Sequence, residues 1–292
     1  ITVEFIGNEL LIDQSARTVN QTAAITSTGT GVISEKFYAK YIMTESDPEG
    51  EVPFEILVID SVGLDSDPVI QTTDESLVIF DRTAPILSTV HIESDNENNT
   101  SIAIADDNID LSFTSNEPLI LDSIFVSITD QYADISESGG IYTATIIMTG
   151  SEPEGIISYT IDYKDRAGNP GIQVLSTTDE STVSHDVYPP EIEMLSISSS
   201  NLDSTWAKIG DTIFITFTAS EVLDNINLFI TGDFSNCVEL GSRKYRGSHT
   251  LDSDDNEGEI SFSLTYTDLG GAEGTPMNMT TNDTQVRLDK TP

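Results

Sequence analysis

Acidic residues recur at fixed intervals along this chain, each time close to proline. The stretch Phe80–Pro85 returns as His185–Pro190 and again as Leu288–Pro292, and its aspartates, Asp81, Asp186 and Asp289, are 105 and then 103 residues apart. Proline fixes φ, lacks an N–H and restricts the preceding residue to extended backbone, so each stretch is typical of a short, stiff connector. A period of this size is the length of one small domain and predicts a tandem array.

Two further acidic positions recur within each period, in polar loops between apolar runs. They are Glu9 and Asp60 in the first period, Glu117 and Asp165 with Asn169 in the second, and Glu221 and Asp268 in the third. Carboxylate and amide oxygens are ligands that suit calcium, which takes about six to eight oxygens with tolerant geometry. The sequence contains no D-x-D-x-D-G loop of the EF-hand type, so a calcium site would have to be assembled from separate loops.

The elements that would position these acids are short β-strands. Alternating apolar and polar residues predict the strands of the second period, and the third period repeats their order. The predicted strands are 86–93, 109–114, 124–129, 141–148, 156–163 and 172–176, then 192–198, 211–218, 228–231, 245–251 and 260–266. About seven short strands per period, without helical periodicity, predict an all-β fold of tandem immunoglobulin-like β-sandwich domains in a linear array.

The first period matches the second from its second strand onward. MTESDPEG at 43–50 aligns with MTGSEPEG at 148–155, and QTTDES at 71–76 aligns with STTDES at 176–181, both with an offset of 105. The sequence therefore predicts three repeats. They are 1–80, which lacks its first strand, 81–185, and 186–292, which ends in the connector of a next repeat. We expect a segment cut from a longer array.

Loops alternate between the two ends of such a sandwich, so the incoming connector and the two acidic loops share one end. The other end carries an acidic loop of its own, at 47–50, 152–155 and 254–258. Where these ends meet, carboxylates about 4 Å apart would repel by about 1–4 kcal/mol, and calcium between them would remove the repulsion. The predicted ligands are Glu9, Asp47, Glu49, Asp60, Asp81, Glu117, Glu152, Glu154, Asp165, Asn169, Asp186, Glu221, Asp268 and Asp289. The alternative is that these acids are solvated loop residues and Asx-turn formers.

A family resemblance rests on four short motifs. Asp81-Arg82-Thr83-Ala84-Pro85, Gly210-Asp211, Ser220-Glu221 and Asp165-Arg166-Ala167-Gly168-Asn169 together resemble the bacterial-type Ig-like repeats of large surface adhesins and surface-layer proteins, and more loosely cadherin repeats. The resemblance implies extracellular tandem domains, commonly stiffened by calcium. The third repeat departs from the pattern at 268–271, where the asparagine is missing, and at its connector 187–190, and both departures could weaken a site or change its ligands.

Composition excludes several functional classes. The net charge of −38, from 50 acidic and 12 basic residues, repels nucleic acid and anionic membranes and favours cations. No apolar run is long enough for a membrane span, and a lone cysteine, Cys237, cannot form an intrachain disulfide. His91, His185 and His249 show no metal-binding spacing, and no catalytic motif is present, so we expect no enzyme.

We therefore expect a structural segment at the cell surface, such as a stalk, adhesin or filament, that is stiffened by calcium at its domain junctions. Its partners would be further copies of the repeat in the same chain. One alternative is a laterally packed protomer of an extracellular filament or sheath, which would self-associate. Another is an array of non-catalytic carbohydrate-binding modules, against which the single tryptophan, Trp206, argues.

Overall fold

The computed structural model describes residues 1–18, 21–27 and 35–291. They form two compact units, Ile1–Pro85 with Lys164–Gly171 and Ile86–Tyr163 with Ile172–Pro292. Helical structure in the described residues is limited to the 3-10 turn Leu121–Ser123, and no helix there has the length and apolar character needed to cross a membrane. The predicted all-β class of tandem immunoglobulin-like sandwiches is confirmed. The repeat boundaries predicted after residues 80 and 185 stay predictions.

The first unit forms three small sheets. Its strands are β1 Thr2–Ile6, β2 Leu11–Thr18, β3 Gln21–Thr22, β4 Ala24–Ser27, β5 Lys36–Lys40, β6 Gly50–Glu51, β7 Phe54–Asp60 and β8 Ile79–Phe80. β5 lies between β1 and β4, β2 lies between β3 and β7, and β6 pairs with β8. Ala16, Ala39 and Ile56 are buried in the core of this unit.

The second unit contains two sandwiches of the same topology. The strands of the first are β9 Leu87–Ser94, β10 Ile102–Ala103, β11 Asn108–Ser115, β12 Phe125–Ile128, β13 Gln131–Tyr132, β14 Asp134–Ser138, β15 Ile141–Ile147, β16 Gly155–Ile156, β17 Tyr159–Asp162 and β18 Ser184–His185. The strands of the second are β19 Ile192–Ser199, β20 Trp206–Ala207, β21 Thr212–Ala219, β22 Leu223–Ile230, β23 Asp233–Ser235, β24 Cys237–Gly241, β25 Lys244–Thr250, β26 Gly258–Glu259, β27 Phe262–Asp268 and β28 Arg287–Leu288.

Sheet order is the same in both sandwiches of the second unit. The order β14-β15-β11-β9 recurs as β24-β25-β21-β19, β13-β12-β17 as β23-β22-β27, and β10-β18-β16 as β20-β28-β26. In the first unit, β1 and β5 correspond to β11 and β15, and β1 pairs with β5 alone among the described strands. The equivalent of β9 is therefore not among them, which agrees with the sequence alignment.

Alternation in the sequence becomes burial of one face of each strand. Ile109, Leu111 and Phe113 of β11 are fully buried, and β21 repeats the pattern with Phe217 in place of Phe113. Successive side chains of a strand point to opposite faces, so a period of two places one set on the core. Each sandwich of the second unit consequently has its own hydrophobic core.

The predicted strand at 172–176 is wrong. Val174 forms an isolated bridge with Ile161, while Ile172 and Leu175 are exposed. The apolar residues of this segment do not alternate strictly, so a single side chain reaches the core. The regular pairing that follows is made instead by β18, which runs parallel to β10.

Hydroxyl groups cover the outer edge of β9. Two of its N–H groups donate to Thr178 Oγ1 at 2.9 Å and to Ser181 Oγ at 3.0 Å. Thr281 Oγ1 and Thr284 Oγ1 accept N–H groups of β19 in the same way, at 2.8 and 3.1 Å. Side-chain oxygens thus take the place of a further strand and prevent pairing at the edge. The STTDES motif at 176–181 and its counterpart in the third repeat therefore have a structural role, which is to cover a sheet edge.

A buried tyrosine in each sandwich of the second unit holds the chain where it crosses to the second sheet. Tyr142 Oη accepts the N–H of Leu119 at 3.0 Å, and Tyr245 Oη accepts the N–H of Leu223 at 3.0 Å. Each ring stacks on a phenylalanine of the neighbouring strand with 5.5 Å between centroids. Phe37, which has no hydroxyl, corresponds to these tyrosines in the first unit.

We expect Tyr245→Phe to lower the free energy of unfolding of the third repeat by about 1–3 kcal/mol, because the buried N–H of Leu223 loses its acceptor. Denaturant unfolding followed by the fluorescence of Trp206, the sole tryptophan, reports on this repeat. Tyr188→Phe at an exposed position is the control and should change stability by less than about 0.5 kcal/mol. Equal stability of the two variants would contradict the role of this hydrogen bond.

Candidate metal centre

Three carboxylates meet at one end of the last sandwich. Asp186 directly follows β18, Glu221 lies between β21 and β22, and Asp268 is the last residue of β27. One possible ligand atom from each residue lies within 4.8 Å of the other two. All three belong to the second unit, so the structure brings together the acids that the sequence grouped at this junction.

Asp268 is the most deeply buried of the three, with 1% of its surface exposed. Its Oδ1 accepts the N–H of Ala272 at 2.9 Å, whereas its Oδ2 is buried and has no hydrogen-bond partner in the described part of the chain. Burying a charged oxygen without a partner is strongly unfavourable. The carboxylate therefore has an unfilled requirement for a donor or a cation.

The second repeat shows how the same carboxylate is satisfied elsewhere. Asp165 Oδ1 accepts the N–H groups of Gly168 at 2.7 Å and Asn169 at 2.9 Å, and its Oδ2 accepts the amide of Asn169 at 2.8 Å. Ala272 stands at the position of Asn169 in the third repeat. Loss of this amide is what leaves Asp268 Oδ2 without a donor.

Two glycines allow the loop after β27 to pack closely within the second unit. Asn96 and Asn98 donate their amides to the carbonyl of Gly270 at 3.1 and 3.3 Å. A Cβ on Gly270 would crowd Ile102, and one on Gly271 would collide with the amide of Asn98. The change from Ala-Gly-Asn to Gly-Gly-Ala in this loop is therefore linked to close packing as well as to the loss of the amide donor.

The clustered carboxylates repel one another. Burial, followed by the charges of Asp186, Asp268 and Glu154, raises the pKa of Glu221 to about 7. Burial, followed by the charges of Asp268 and Glu154, also raises the pKa of Asp186. The nearby guanidinium of Arg243 acts in the opposite direction on Glu221 and is the smallest of these effects. Glu154 thus adds a fourth negative charge to the group.

Two other predicted ligands already accept hydrogen bonds from nearby residues. Asp47 accepts the hydroxyl of Tyr41 at 3.1 Å, and Glu152 accepts the amide of Gln131 at 2.7 Å and the N–H of Thr149 at 3.1 Å. Burial opposes ionisation of Glu152, but hydrogen bonds from its own loop, Thr149 and Gln131 lower its pKa to about 2. Both carboxylates therefore hold their loops closed, and a calcium-binding role for them stays a prediction.

A further set of the predicted acids accepts hydrogen bonds from main-chain N–H groups. Asp60, Asp81 and Asp289 each accept the N–H of the residue two positions later at 2.9 Å, which is the Asx turn that the sequence left as the alternative. Glu49 accepts the N–H of Arg82 at 2.7 Å.

The remaining predicted ligands stay predictions. Glu9 is exposed, and Glu117 is half-buried after the end of β11. Of the ligands predicted for the junction before the second repeat, Asp81, Asp165 and Asn169 belong to the first compact unit and Glu117 belongs to the second.

Sequence reasoning missed a second group of possible ligands in the third repeat. Asp233, His249 and Asp255 place one ligand atom each within 4.8 Å of the others. They come from β23, from β25 and from the loop after β25, so their spacing along the chain resembles no known metal motif. An alignment of the repeats carries a signal for them. The corresponding residues of the second repeat are Gln131, Ile146 and Glu152, so the third repeat differs by having a possible metal ligand at all three positions.

Neither a protein-family model nor a curated protein matches the chain. Among solved structures, the I9–I11 tandem from titin is 10% identical over 100% of this chain and 93% of that chain, with a TM-score of 0.34. The fibronectin(III)-like modules of CbhA from Clostridium thermocellum are 15% identical over 68% and 94%, with a TM-score of 0.31. The D00–D0 domain of intimin is 16% identical over 68% and 100%, with a TM-score of 0.26. At these TM-scores the likenesses carry no argument about function.

We expect the carboxyl group of Glu221 to titrate near pH 7 in metal-free protein, far above its ordinary pKa of 4.5. Because the folded state then holds a proton that the unfolded chain has released, the contribution of this group to stability is complete below about pH 4.5 and is lost as the pH rises through about 7. Carboxyl ¹³C NMR measures the titration directly. Asp186→Asn should lower the pKa, whereas Glu193→Gln on the exposed face of β19 should not, and a Glu221 pKa near 4.5 would contradict the clustering.

Proposed function

We propose that this chain is a structural segment of an extracellular repeat protein, in which a calcium ion bound by Asp186, Glu221 and Asp268 fixes the third repeat against the second. The observation that carries the proposal is the buried Oδ2 of Asp268, which has no partner among the described residues although it belongs to a cluster of carboxylates. A cation supplies what this oxygen lacks and offsets the repulsion that raises the pKa values of Asp186 and Glu221.

Calcium suits the chemistry of this site. The donors are carboxylate oxygens, which hard cations prefer, and no nitrogen or sulfur ligand belongs to the group. Asp186 and Glu221 are only half-buried, so water and backbone carbonyls can complete the about six to eight oxygens that calcium takes. Magnesium, which demands near-ideal octahedral geometry, suits a site assembled from three separate elements less well.

The ligands belong to two sandwiches, and this gives the ion its mechanical effect. Asp186 is fixed to the earlier sandwich, because its N–H donates to the carbonyl of Ala103 at 2.9 Å directly after β18. Glu221 and Asp268 adjoin strands of the later sandwich. Calcium that contacts all three binds one arrangement of the sandwiches in preference to others. At ten times Kd, the bound arrangement gains about 1.4 kcal/mol per site.

An extracellular setting follows from the strength expected for such a site. Calcium sites in extracellular modules have Kd values of about 10⁻⁴–10⁻³ M and depend on the high calcium concentration outside cells. The proposed site has three protein carboxylates and is partly open to solvent, features that support an affinity in this range rather than that of a tight buffer. The role assigned to the chain is mechanical, as part of a stalk, adhesin or surface filament.

We expect the chain to bind calcium with a Kd of about 10⁻⁴–10⁻³ M and Glu221→Gln to weaken that site by at least about tenfold, because one of its three charged ligands is removed. Isothermal titration calorimetry measures the affinity. Small-angle scattering with calcium and with chelator should show a larger maximum dimension in calcium, since the splayed arrangements are then less populated.

Glu193→Gln is the matched control, because it removes the same charge from an exposed position on β19. It should leave both the affinity and the scattering unchanged. Equal loss of binding in the two variants would show general counterion attraction by an acidic chain. An unchanged maximum dimension after chelation would show that calcium does not hold the repeats, even if it binds.

A further inference from the structure

We propose that Asp233, His249 and Asp255 form a binding site for a divalent transition-metal ion such as zinc. His249 Nε2 lies 3.2 Å from Asp255 Oδ2 and 3.8 Å from Asp233 Oδ2. Tetrahedral zinc with bonds of about 2.0–2.2 Å to nitrogen and oxygen separates its ligand atoms by about 3.3–3.6 Å. Both distances from His249 Nε2 are close to this separation, and all three ligand atoms lie within 4.8 Å of one another.

Strand pairing and hydrogen bonds hold the three residues in place without an ion. Ile230 and Asp233 pair across the two-residue turn Thr231-Gly232, whose φ values of 53° and 101° match the tight hairpin turn that requires positive φ at both central residues. Asp255 is buried, and its Oδ2 also accepts the N–H of Asp252 at 2.8 Å. His249 comes from the regular strand β25.

In the second repeat, the polar side chains at the same positions form a hydrogen bond with each other. Gln131 occupies the position of Asp233 and donates its amide to Glu152 at 2.7 Å, and Ile146 occupies the position of His249. Gln131 is thus a donor to the carboxylate of Glu152. In the third repeat a second carboxylate stands in place of this amide, so two carboxylates lie beside one imidazole nitrogen. A divalent cation between the three groups would be bound by both carboxylates and by the imidazole.

The donor set selects the class of ion. Imidazole nitrogen with carboxylate oxygen suits zinc and its first-row neighbours, whereas calcium takes oxygen ligands alone. The side chain of Asp233 is 69% exposed while those of His249 and Asp255 are largely buried, so the site is open to water on one side. Water would supply the remaining ligand, and the ion would fasten the loop after β25 to the β22–β23 hairpin.

Zinc titration with excess calcium present tests the site while the calcium site is occupied. We expect long-range ¹H–¹⁵N NMR to show zinc shifting the ring nitrogens of His249 and leaving those of His91 and His185 unchanged. Calorimetry should show that His249→Ile weakens zinc binding at least tenfold. Isoleucine is the residue that the second repeat carries at this position, so the variant should keep the fold, which near-ultraviolet circular dichroism checks.

His91→Ala is the matched control. His91 also has two acidic neighbours, but Asp179 lies 2.6 Å from its Nδ1 and Glu93 lies 3.7 Å from its Nε2. Ligands on opposite ring nitrogens cannot chelate one ion, so this variant should bind zinc as the parent does. Zinc affinity that is equal in the parent and His249→Ile, or zinc shifts of equal size at all three histidines, would overturn the proposal. So would a His249 ring that responds to pH but not to zinc.

Discussion

A buried carboxylate needs either hydrogen-bond donors or a cation, and this requirement governs the ends of both sandwiches in the second unit. Glu152 receives an amide and an N–H, and its pKa falls to about 2. Asp268 receives one N–H and keeps a bare oxygen. Both are buried, so the supply of hydrogen-bond donors decides which carboxylate is satisfied and which one keeps an oxygen without a partner among the described residues.

The internal repeats act as variants of one another in this respect. Asn169 and Ala272 occupy the same position beside the carboxylates of Asp165 and Asp268, and Gln131 and Asp233 correspond in the same way beside Glu152 and Asp255. In both comparisons the third repeat lacks the amide donor that the second repeat has, while the carboxylate is present in both. Two separate loops of these repeats therefore differ in the same chemical sense, although the order of the surrounding strands is the same.

The sequence predicted the fold from two signals that act locally. Alternation along segments such as Asn108–Ser115 identified the core-facing side chains, and the period of the connectors indicated a tandem array. The prediction of a strand at 172–176 was wrong because strand pairing there depends on tertiary contacts. The edge of β9 is instead bonded by the hydroxyl groups of Thr178 and Ser181, which follow this segment.

For the site, the grouping of Asp186, Glu221 and Asp268 followed from loop topology. The hydrogen bonds that occupy Asp47 and Glu152 could not be predicted in this way, because they depend on which donors fold back onto these carboxylates.

The net charge of −38 explains why cations gather around this chain, but it does not explain where one binds. A diffuse negative field raises the local concentration of every cation and is screened within about 8–10 Å at physiological salt. Selectivity requires oxygens and nitrogens that are already fixed and poorly satisfied. Asp268 Oδ2 is buried without a hydrogen-bond partner among the described residues, close to the carboxylates of Asp186 and Glu221, and His249 Nε2 is fixed between the carboxylates of Asp233 and Asp255. The proposed calcium site and the proposed transition-metal site therefore differ in their donor atoms, which are oxygens alone at the first and oxygens with a nitrogen at the second.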